Sequence, residues 1–298
     1  MKLNTTFTVN IKEIYGKRGE VWLENLQEHL AHLCEKHHLV LISAMPNLSY
    51  HFVGLVKILA TNETAVIKMS LENQYLENEV RCLQCFTAGV PKVYWFDVDE
   101  HAVLMEHLKP GYSLKELIKE GQDDLATQII CQEIKNLQSN QKPTYQFKHV
   151  SKLADSLSVL DQHVDSYLLS KAKSLFHDLT FDQSKDVILH GDLHHDNILA
   201  SEQSWKAIDP HGYIGDPAFE VGSIIFNPYD CFPSHQPLLE IIKRRLKIMV
   251  RELPFAAQRI KAWAFCKTML SVAWTYEDHG KIDEGELEIA RIVDSMKL

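Results

Sequence analysis

The chain has 298 residues, of which 45% are hydrophobic and 24% are charged, a composition typical of globular proteins and enough chain for two lobes or one large domain. Its formal net charge of −9 argues against a general nucleic-acid binder and is compatible with a cationic small-molecule substrate. The sequence has neither a signal-peptide pattern nor an apolar run of about 18 residues. We therefore expect a cytoplasmic protein without a membrane span, and no protein partner is evident.

The first third of the chain contains two groups of potential metal ligands. Residues 1–16 are strand-leaning and irregular, and residues 19–38 have the spacing of an amphipathic helix. That helix carries four histidines, which fit a solvated polar face better than a metal site: His29, His32, His37 and His38. Cys82 and Cys85 form a C-x-x-C pair with no second pair, so we expect buried small side chains there and not a zinc or redox site.

A strand-rich block follows the first helix. Short apolar runs separated by turn residues predict five strands and one intervening helix, residues 72–87. The predicted strands are residues 39–42, 55–59, 64–69, 90–96 and 102–106, with residues 46–54 as a turn. The block therefore predicts a five-stranded antiparallel sheet accompanied by a helix, the α+β class.

From residue 111 onward the pattern is mainly helical. Ser113 with Glu116 three residues later matches the capping box at a helix start. Predicted helices span residues 114–120, 123–138, 150–162, 165–178, 235–252, 254–279 and 283–297.

Residues 187–228 interrupt the helices and contain the densest set of polar residues. The apolar run at 187–189 leads into HGDLHHDN, and a second short strand at 205–208 ends at Asp209. Two strands thus end in carboxylates, with Asn197 five positions after Asp192. Phosphoryl transfer uses this arrangement: Asp192 would orient the attacking hydroxyl, while Asn197 and Asp209 would hold Mg²⁺ against the nucleotide phosphates.

Two segments, HGDLHHDNIL and AIDPHGYIGDPAFEVG, closely resemble the aminoglycoside phosphotransferases, in particular the streptomycin 6-kinase branch, also described as aminoglycoside/hydroxyurea resistance kinases. The resemblance implies a two-lobed protein-kinase-like α+β fold. Residues 1–107 would form the nucleotide-binding lobe, an antiparallel sheet plus a helix. Residues 108–298 would form a mainly helical lobe for catalysis and substrate binding.

The same resemblance implies the nucleotide contacts. Lys68 ends the A-V-I-K strand and would reach the α- and β-phosphates, paired with Glu79, although Glu77 is a competing partner. Adenine would bond the backbone C=O of Glu106 and the N–H of Leu108. The loop over the phosphates would be residues 47–54, in which the one glycine is Gly54.

Three further residues would support the catalytic loop, the HGDLHHDN segment of residues 190–197. His190 would brace it through hydrogen bonds, and Asp216 before Pro217 fits a helix N-cap. Glu220 is either a helix-terminus charge or a second brace. Only six residues separate Asp209 from Asp216, which leaves no room for the phosphorylated activation segment of protein kinases and favours a small-molecule kinase.

The acceptor pocket is the least defined part of the sequence. Glu277 and Asp278 end a predicted helix and could neutralise ammonium or guanidinium groups, as could Asp230, but a solvated face fits the two helix-end residues equally well. We expect an ATP- and Mg²⁺-dependent kinase for streptomycin or a related aminoglycoside. Hydroxyurea, an amino alcohol or a sugar is the alternative acceptor.

Two other classes remain as alternatives. A nucleotide-binding pseudokinase would have no need of a complete catalytic set. A metal hydrolase would use the histidines near Asp192, namely His194, His195 and His211, and would require further ligands from other strands.

Overall fold

The computed structural model describes residues 3–228, 231–232 and 237–297. Its internal contacts divide the chain into two compact units: Met1–Gln84 with Pro91–Leu108, and Cys85–Val90 with Lys109–Leu298. No helix among the described residues combines the length and apolar character needed to cross a bilayer.

The first unit is built around an antiparallel five-stranded sheet of order β1-β2-β3-β5-β4. Its strands are β1 (Leu39–Ala44), β2 (Phe52–Ile58), β3 (Thr64–Met69), β4 (Val93–Asp97) and β5 (Ala102–Glu106). Its helices are α1 (Thr5–Tyr15), α2 (Lys17–Lys36) and α3 (Asn73–Cys85), the last ending at the boundary of the unit. The predicted antiparallel sheet with a helix between its third and fourth strands is therefore confirmed.

The N-terminal segment is helical, so the expectation of an irregular, strand-leaning start was wrong. Its β-branched residues obscured an i, i+4 apolar pair, Phe7 and Ile11, both fully buried. Asn4 caps the helix by accepting a hydrogen bond from Phe7 N at 2.8 Å. Tertiary packing against α2 and the sheet outweighs the low helix propensity of the segment.

The second strand begins earlier than expected. Residues 52–54 were assigned to the turn, but Phe52 pairs with Met69 of β3 and is fully buried. Phe52, Gly54 and Val56 alternate as the buried positions of β2, so the period-two pattern starts at Phe52. Gly54 consequently lies within a strand and outside the loop that joins β1 to β2.

The second unit is mainly helical. Its α-helices are α4 (Lys115–Lys119), α5 (Asp123–Ser139), α6 (Ser166–Leu179), α7 (Gly222–Phe226), α8 (Leu238–Glu252), α9 (Ala257–His279) and α10 (Glu284–Ser295). Three segments are 3₁₀ helices: Val150–Leu160, His195–Asn197 and Pro217–Val221. The long helix α9 is buried over most of its length and packs against α6, α7 and α10.

Two small sheets support the polar segment of this unit. One has the order β10-β9-β6, from β6 (Pro110–Ser113), β9 (Ile198–Ser201) and β10 (Ser204–Ala207). The other has the order β7-β11-β8, from β7 (Lys148–His149), β8 (Val187–Leu189) and β11 (Tyr213–Gly215).

The expected capping box at Ser113 was wrong. Ser113 is the last residue of β6 and pairs with Leu199, so its backbone is committed to a sheet. Leu114 occupies the N-cap of α4 and makes no side-chain capping bond. Glu116 instead bonds Lys119 Nζ at 2.7 Å.

Candidate active site

In the first unit, Lys68 and Glu79 form a buried ion pair. Lys68 lies near the end of β3 and Glu79 lies on α3, and Lys68 Nζ donates to Glu79 Oε2 at 2.7 Å. Both residues are at most 5% exposed. The competing carboxylate, Glu77, bonds Arg81 one turn further along the helix. The strand and the helix therefore present one fixed ammonium group, which is the geometry a phosphate-binding lysine needs.

Of the two residues expected to bind adenine, Glu106 is the last residue of β5 and Leu108 lies two positions beyond it. Glu106 pairs with Ala65 of β3 and its N–H donates to Lys92 O at 2.8 Å. Its side-chain Oε2 accepts from Lys92 N at 3.0 Å, and the Leu108 side chain is buried. The sheet thus fixes the backbone of Glu106, whatever its side chain.

In the second unit, the polar loop after β8 carries His190, Gly191 and Asp192. Gly191 has φ of +85°, and a Cβ at this position would lie 2.5 Å from the Tyr213 ring. An arginine, which protein kinases carry here, would be both strained and sterically blocked. The tight path of the loop therefore depends on glycine.

His190 links the loop after β8 to the segment that follows β10. It is fully buried, its Nε2–H donates to Ile208 O at 2.8 Å, and its Nδ1 accepts from Asp192 N at 3.3 Å. These partners require the neutral tautomer with the proton on Nε2. Burial lowers the pKa of His190 to about 4, against the raising effect of the Asp192 charge. The imidazole is therefore a neutral bridge at physiological pH.

Glu220 holds the same loop from the 3₁₀ helix Pro217–Val221. Its Oε1 accepts from His190 N at 2.6 Å, and its two oxygens lie 3.2–3.3 Å from Gly191 N. Burial raises the pKa of Glu220 to about 7, opposed by the charge of Lys267 and by these N–H donors. The carboxylate thus contacts two successive amides of the catalytic loop.

Asp216 anchors that 3₁₀ helix at its start. It is the N-cap and accepts from Ala218 N at 3.1 Å. Its other oxygen accepts from Arg259 Nε at 2.7 Å and from the indole N–H of Trp263. Two residues of α9 therefore fix the helix that presents Glu220.

The Asp192 carboxylate is the part of the loop that reaches solvent, with 28% of its side chain exposed. Ser223 Oγ donates to its Oδ1 at 3.3 Å, and His194 Nε2 lies 3.4 Å from its Oδ2. Burial alone would raise the pKa of Asp192, but the hydrogen bond and charge of His194, followed by the charges of Lys267 and His211, outweigh it and lower the pKa. Asp192 is therefore ionised and oriented.

Asn197 ends the 3₁₀ helix that precedes β9, and Asp209 follows β10, the strand that pairs with β9. Asn197 Nδ2 donates to Asp192 O at 2.9 Å, and Ile208 N donates to Asn197 O at 2.9 Å. Asp209 is exposed and has φ of +56°, a conformation that bends the chain as it leaves the strand. The backbone bond from Ile208 to Asn197 joins the two segments, and a side-chain amide oxygen and a carboxylate are oxygen ligands of the kind that Mg²⁺ prefers.

The histidines near this loop do not form a larger ligand set. His194 is the N-cap of the 3₁₀ helix His195–Asn197, and His195 is fully buried. In the described part of the chain, no group of three or more His, Cys, Asp and Glu side chains is arranged to hold a metal ion. On α2, His29 bonds Glu100 at 2.8 Å, and His37, which caps the C-terminal end of α2, stacks on Trp95.

The residues expected to bind the acceptor are less constrained. Glu277 and Asp278 lie at the C-terminal end of α9 and are both exposed. Asp230 lies outside the described residues. The structure therefore puts two of these three carboxylates on an accessible helix end and gives no account of the third.

Sequence reasoning missed two residues that contact the catalytic loop. Ser223 donates to Asp192, and the buried Lys267 donates to Gly191 O at 2.5 Å. Lys267 gave one signal: it is a lysine inside the apolar run WAFCKTMLSVAW, where a buried charge needs a partner. Ser223 gave none, because a serine in the first turn of a helix is ordinary.

The amino-acid sequence matches the family model described as aminoglycoside/hydroxyurea antibiotic resistance kinase over residues 48–279. A streptomycin 3''-kinase of Klebsiella pneumoniae is 31% identical over 182 residues, which are 59% of this chain and 67% of the relative. A streptomycin 6-kinase of Streptomyces glaucescens is 23% identical over 274 residues, which are 89% of this chain and 87% of the relative.

Among solved structures, the aminoglycoside phosphotransferase APH(4)-Ia shares the fold, with a TM-score of 0.61 and 13% identity over 90% of this chain and 98% of that chain. These findings confirm the resemblance carried by the segment HGDLHHDNIL. The chain belongs to the aminoglycoside/hydroxyurea antibiotic resistance kinase family and is a small-molecule phosphotransferase with a protein-kinase-like α+β fold.

Proposed function

We propose that the protein transfers the γ-phosphoryl group of ATP, with Mg²⁺, to a hydroxyl of streptomycin or a related aminoglycoside. The observation that carries this proposal is the Asp192 carboxylate, ionised and partly exposed on a loop whose backbone is bonded by His190 and Glu220. The streptomycin kinases among its relatives support the choice of acceptor.

Residues 1–107 supply the nucleotide site in this proposal. Lys68, held by Glu79, bonds the α- and β-phosphates, since a paired ammonium group keeps its direction where a lone one would move. The backbone C=O of Glu106 and N–H of Leu108 bond adenine. Leu55 and Val66, paired across β2 and β3, offer half-buried apolar surface on the sheet face that also carries Lys68.

Residues 108–298 supply the metal ligands and the catalytic carboxylate. Asn197 and Asp209 would hold Mg²⁺, which when bound would neutralise negative charge on the phosphate oxygens. His190 and Glu220 fix the backbone from which Asp192 projects. Asp216 caps the 3₁₀ helix that carries Glu220.

In the reaction, the acceptor hydroxyl oxygen forms a bond to the γ-phosphorus, the bond from that phosphorus to the bridging oxygen breaks, and ADP leaves. The hydroxyl proton passes to the Asp192 carboxylate. Because the pKa of Asp192 is lowered, its main contribution is to orient the hydroxyl, with proton transfer late. A loose phosphoryl transition state requires little from the base, so orientation accounts for most of the effect.

Carboxylates would select a cationic acceptor. Glu277 and Asp278, exposed at the end of α9, can neutralise ammonium or guanidinium groups, and Asp230 is a third candidate. Removing one exposed charge pair should raise KM for the acceptor by a small factor, since such pairs contribute about 0.2–1 kcal/mol.

The test is a coupled ADP-release assay with Mg-ATP and a panel of streptomycin, other aminoglycosides and hydroxyurea. We expect streptomycin or another aminoglycoside to stimulate ADP release, and Asp192→Asn to abolish the stimulation. Stimulation by hydroxyurea alone would replace the acceptor by the alternative named in the family description. Nucleotide binding without turnover on any acceptor would favour a pseudokinase, and failure to bind ATP would contradict the proposal.

A further inference from the structure

Helix α9 inserts one lysine into the interior of the second unit beside the catalytic loop. Lys267 is 2% exposed, and its Nζ donates to the backbone oxygen of Gly191 at 2.5 Å. The same ammonium group lies 4.4 Å from the centre of the Phe219 ring and 5.8 Å from that of Trp274. A buried cation costs free energy unless it is compensated, and here a carbonyl oxygen and two ring faces compensate it.

Two carboxylates complete the surroundings of Lys267. Burial lowers its pKa, and the charges of Asp192 and Glu220 oppose that change. The cation therefore interacts with both the carboxylate that faces the substrate and the carboxylate that braces the loop. An ordinary core position on α9 would have been filled by an apolar side chain, as at Met269 and Leu270.

The hydrogen bond from Lys267 fixes one particular peptide group. The oxygen it contacts belongs to the peptide between Gly191 and Asp192, and the N–H of that same peptide donates to His190 Nδ1 at 3.3 Å. The preceding peptide, through Gly191 N, is held by Glu220. The peptide that leads into Asp192 is thus bonded at both its oxygen and its nitrogen, which sets the direction of the Asp192 side chain.

The fold makes room for this contact. A Cβ on Gly222, the first residue of α7, would lie 2.2 Å from Cβ and Cγ of Lys267. The absence of a side chain at Gly222 therefore lets α9 approach closely enough for the lysine stem to pass α7 and reach the loop.

We propose that Lys267 is a positioning residue for phosphoryl transfer: it holds the Gly191–Asp192 peptide so that the Asp192 carboxylate faces the acceptor hydroxyl. This inference rests on the proposed function. Small displacements of a reacting group cost about 10²-fold in rate, and a positioning residue that touches neither substrate changes kcat and leaves binding intact.

The experiment replaces Lys267 by methionine, which keeps the length of the side chain and removes the charge and the donor. We expect Lys267→Met to lower kcat about a hundredfold, with KM for ATP and for the acceptor within about threefold of wild type. The matched control is Lys261→Met on the same helix, whose Nζ bonds Asp294 O at 2.8 Å, away from the loop. We expect it to lose stability without loss of kcat.

A double variant tests whether the loss of kcat in Lys267→Met comes only from a loss of stability. Lys267→Met leaves the buried Glu220 carboxylate without the opposing charge of Lys267. Lys267→Met with Glu220→Gln removes both charges, and the amide oxygen of Gln can still accept from His190 N and Gly191 N. We expect stability to recover in the double variant while kcat stays low. Recovery of kcat together with stability, or a folded Lys267→Met enzyme with wild-type kcat, would overturn the inference.

Amide hydrogen exchange separates this inference from the proposed acceptor. If the wild type phosphorylates no compound in the panel, the proposed function fails, and exchange in the peptide covering residues 187–197 decides the role of Lys267. We expect the Gly191 and Asp192 amides to exchange at least about tenfold faster in Lys267→Met, with unchanged exchange in Lys261→Met. Equal exchange in wild type and Lys267→Met would contradict the positioning role.

Discussion

The two units solve the same problem, holding a charged group in place, by different means. In the first unit, one ammonium group is fixed by one carboxylate, Lys68 by Glu79. In the second unit, Asp192 is fixed through its backbone, by groups from three elements: His190 in the loop, Glu220 on a 3₁₀ helix and Lys267 on α9. In the proposed function, a side chain that bonds a flexible phosphate can be held by a side-chain ion pair, whereas a carboxylate that orients a hydroxyl needs its peptide fixed.

The largest effect should come from the group that the second unit positions. Asp192→Asn keeps the shape and the contact with Ser223 but removes the charge, and we expect kcat to fall about 10²–10⁴-fold with ATP affinity retained. Steady-state kinetics measure kcat, and equilibrium binding of ATP measures the ATP affinity. Asp196→Asn is the control: Asp196 lies in the same segment, 3.7 Å from Lys115, with 44% of its side chain exposed, and should leave kcat unchanged.

The ion pair of the first unit should show a smaller and different defect. We expect Glu79→Gln to lower kcat/KM for ATP about 10–100-fold, because the lysine loses its fixed direction. Glu77→Gln, on the same helix but bonded to Arg81, is the matched control and should behave as wild type. Equal defects in the two variants would show that the helix matters and the pair does not.

Asp216, which caps the 3₁₀ helix that carries Glu220, should contribute more to the free energy of unfolding than to kcat. Asp216→Ala removes an N-cap and the bonds to Arg259 and Trp263, and we expect a loss of about 2–3 kcal/mol in the unfolding of the second unit. Denaturant unfolding followed by tryptophan fluorescence measures it. Asp283→Ala removes only the cap of α10 and should cost about 1 kcal/mol. A loss at Asp216 no larger than that at Asp283 would remove the anchoring role.

The smallest effect is a pH dependence from His190. Its pKa in the folded protein is about 4, below its usual 6.5, so the unfolded chain takes up a proton first as pH falls. The stability due to the neutral imidazole is therefore present above about pH 6.5 and is lost as pH falls toward 4. Between pH 6.5 and 5.5 we expect wild type to lose about 1 kcal/mol relative to His190→Gln. A constant difference would show that His190 titrates normally.

Contacts between residues close in the sequence could be predicted, and contacts between distant residues could not. The Lys68–Glu79 pair joins a strand to the next helix, and the resemblance to the kinase family identified it and favoured Glu79 over Glu77. The loop motif was equally visible, since its residues are consecutive. Lys267 is 76 positions from Gly191, and the tertiary packing of α9, against α7 among other elements, brings them together.

Two predictions from local sequence patterns were wrong, and in both cases tertiary packing was the reason. The β-branched start of the chain forms α1 because Phe7 and Ile11 are buried by α2 and the sheet. Ser113 and Glu116 match a capping box, yet pairing with Leu199 draws Ser113 into β6. Burial outweighed the low helix propensity of α1, and strand pairing outweighed the capping motif at Ser113.

The account's central claim is tested most directly by identifying the product. Streptomycin incubated with Mg-ATP and the wild-type enzyme should gain one phosphoryl group by mass spectrometry, in step with the ADP formed, and Asp192→Asn should form neither. ADP formed without phosphorylated acceptor, or an Asp192→Asn enzyme that phosphorylates streptomycin at the wild-type rate, would contradict the assignment of this loop as the site of hydroxyl phosphorylation.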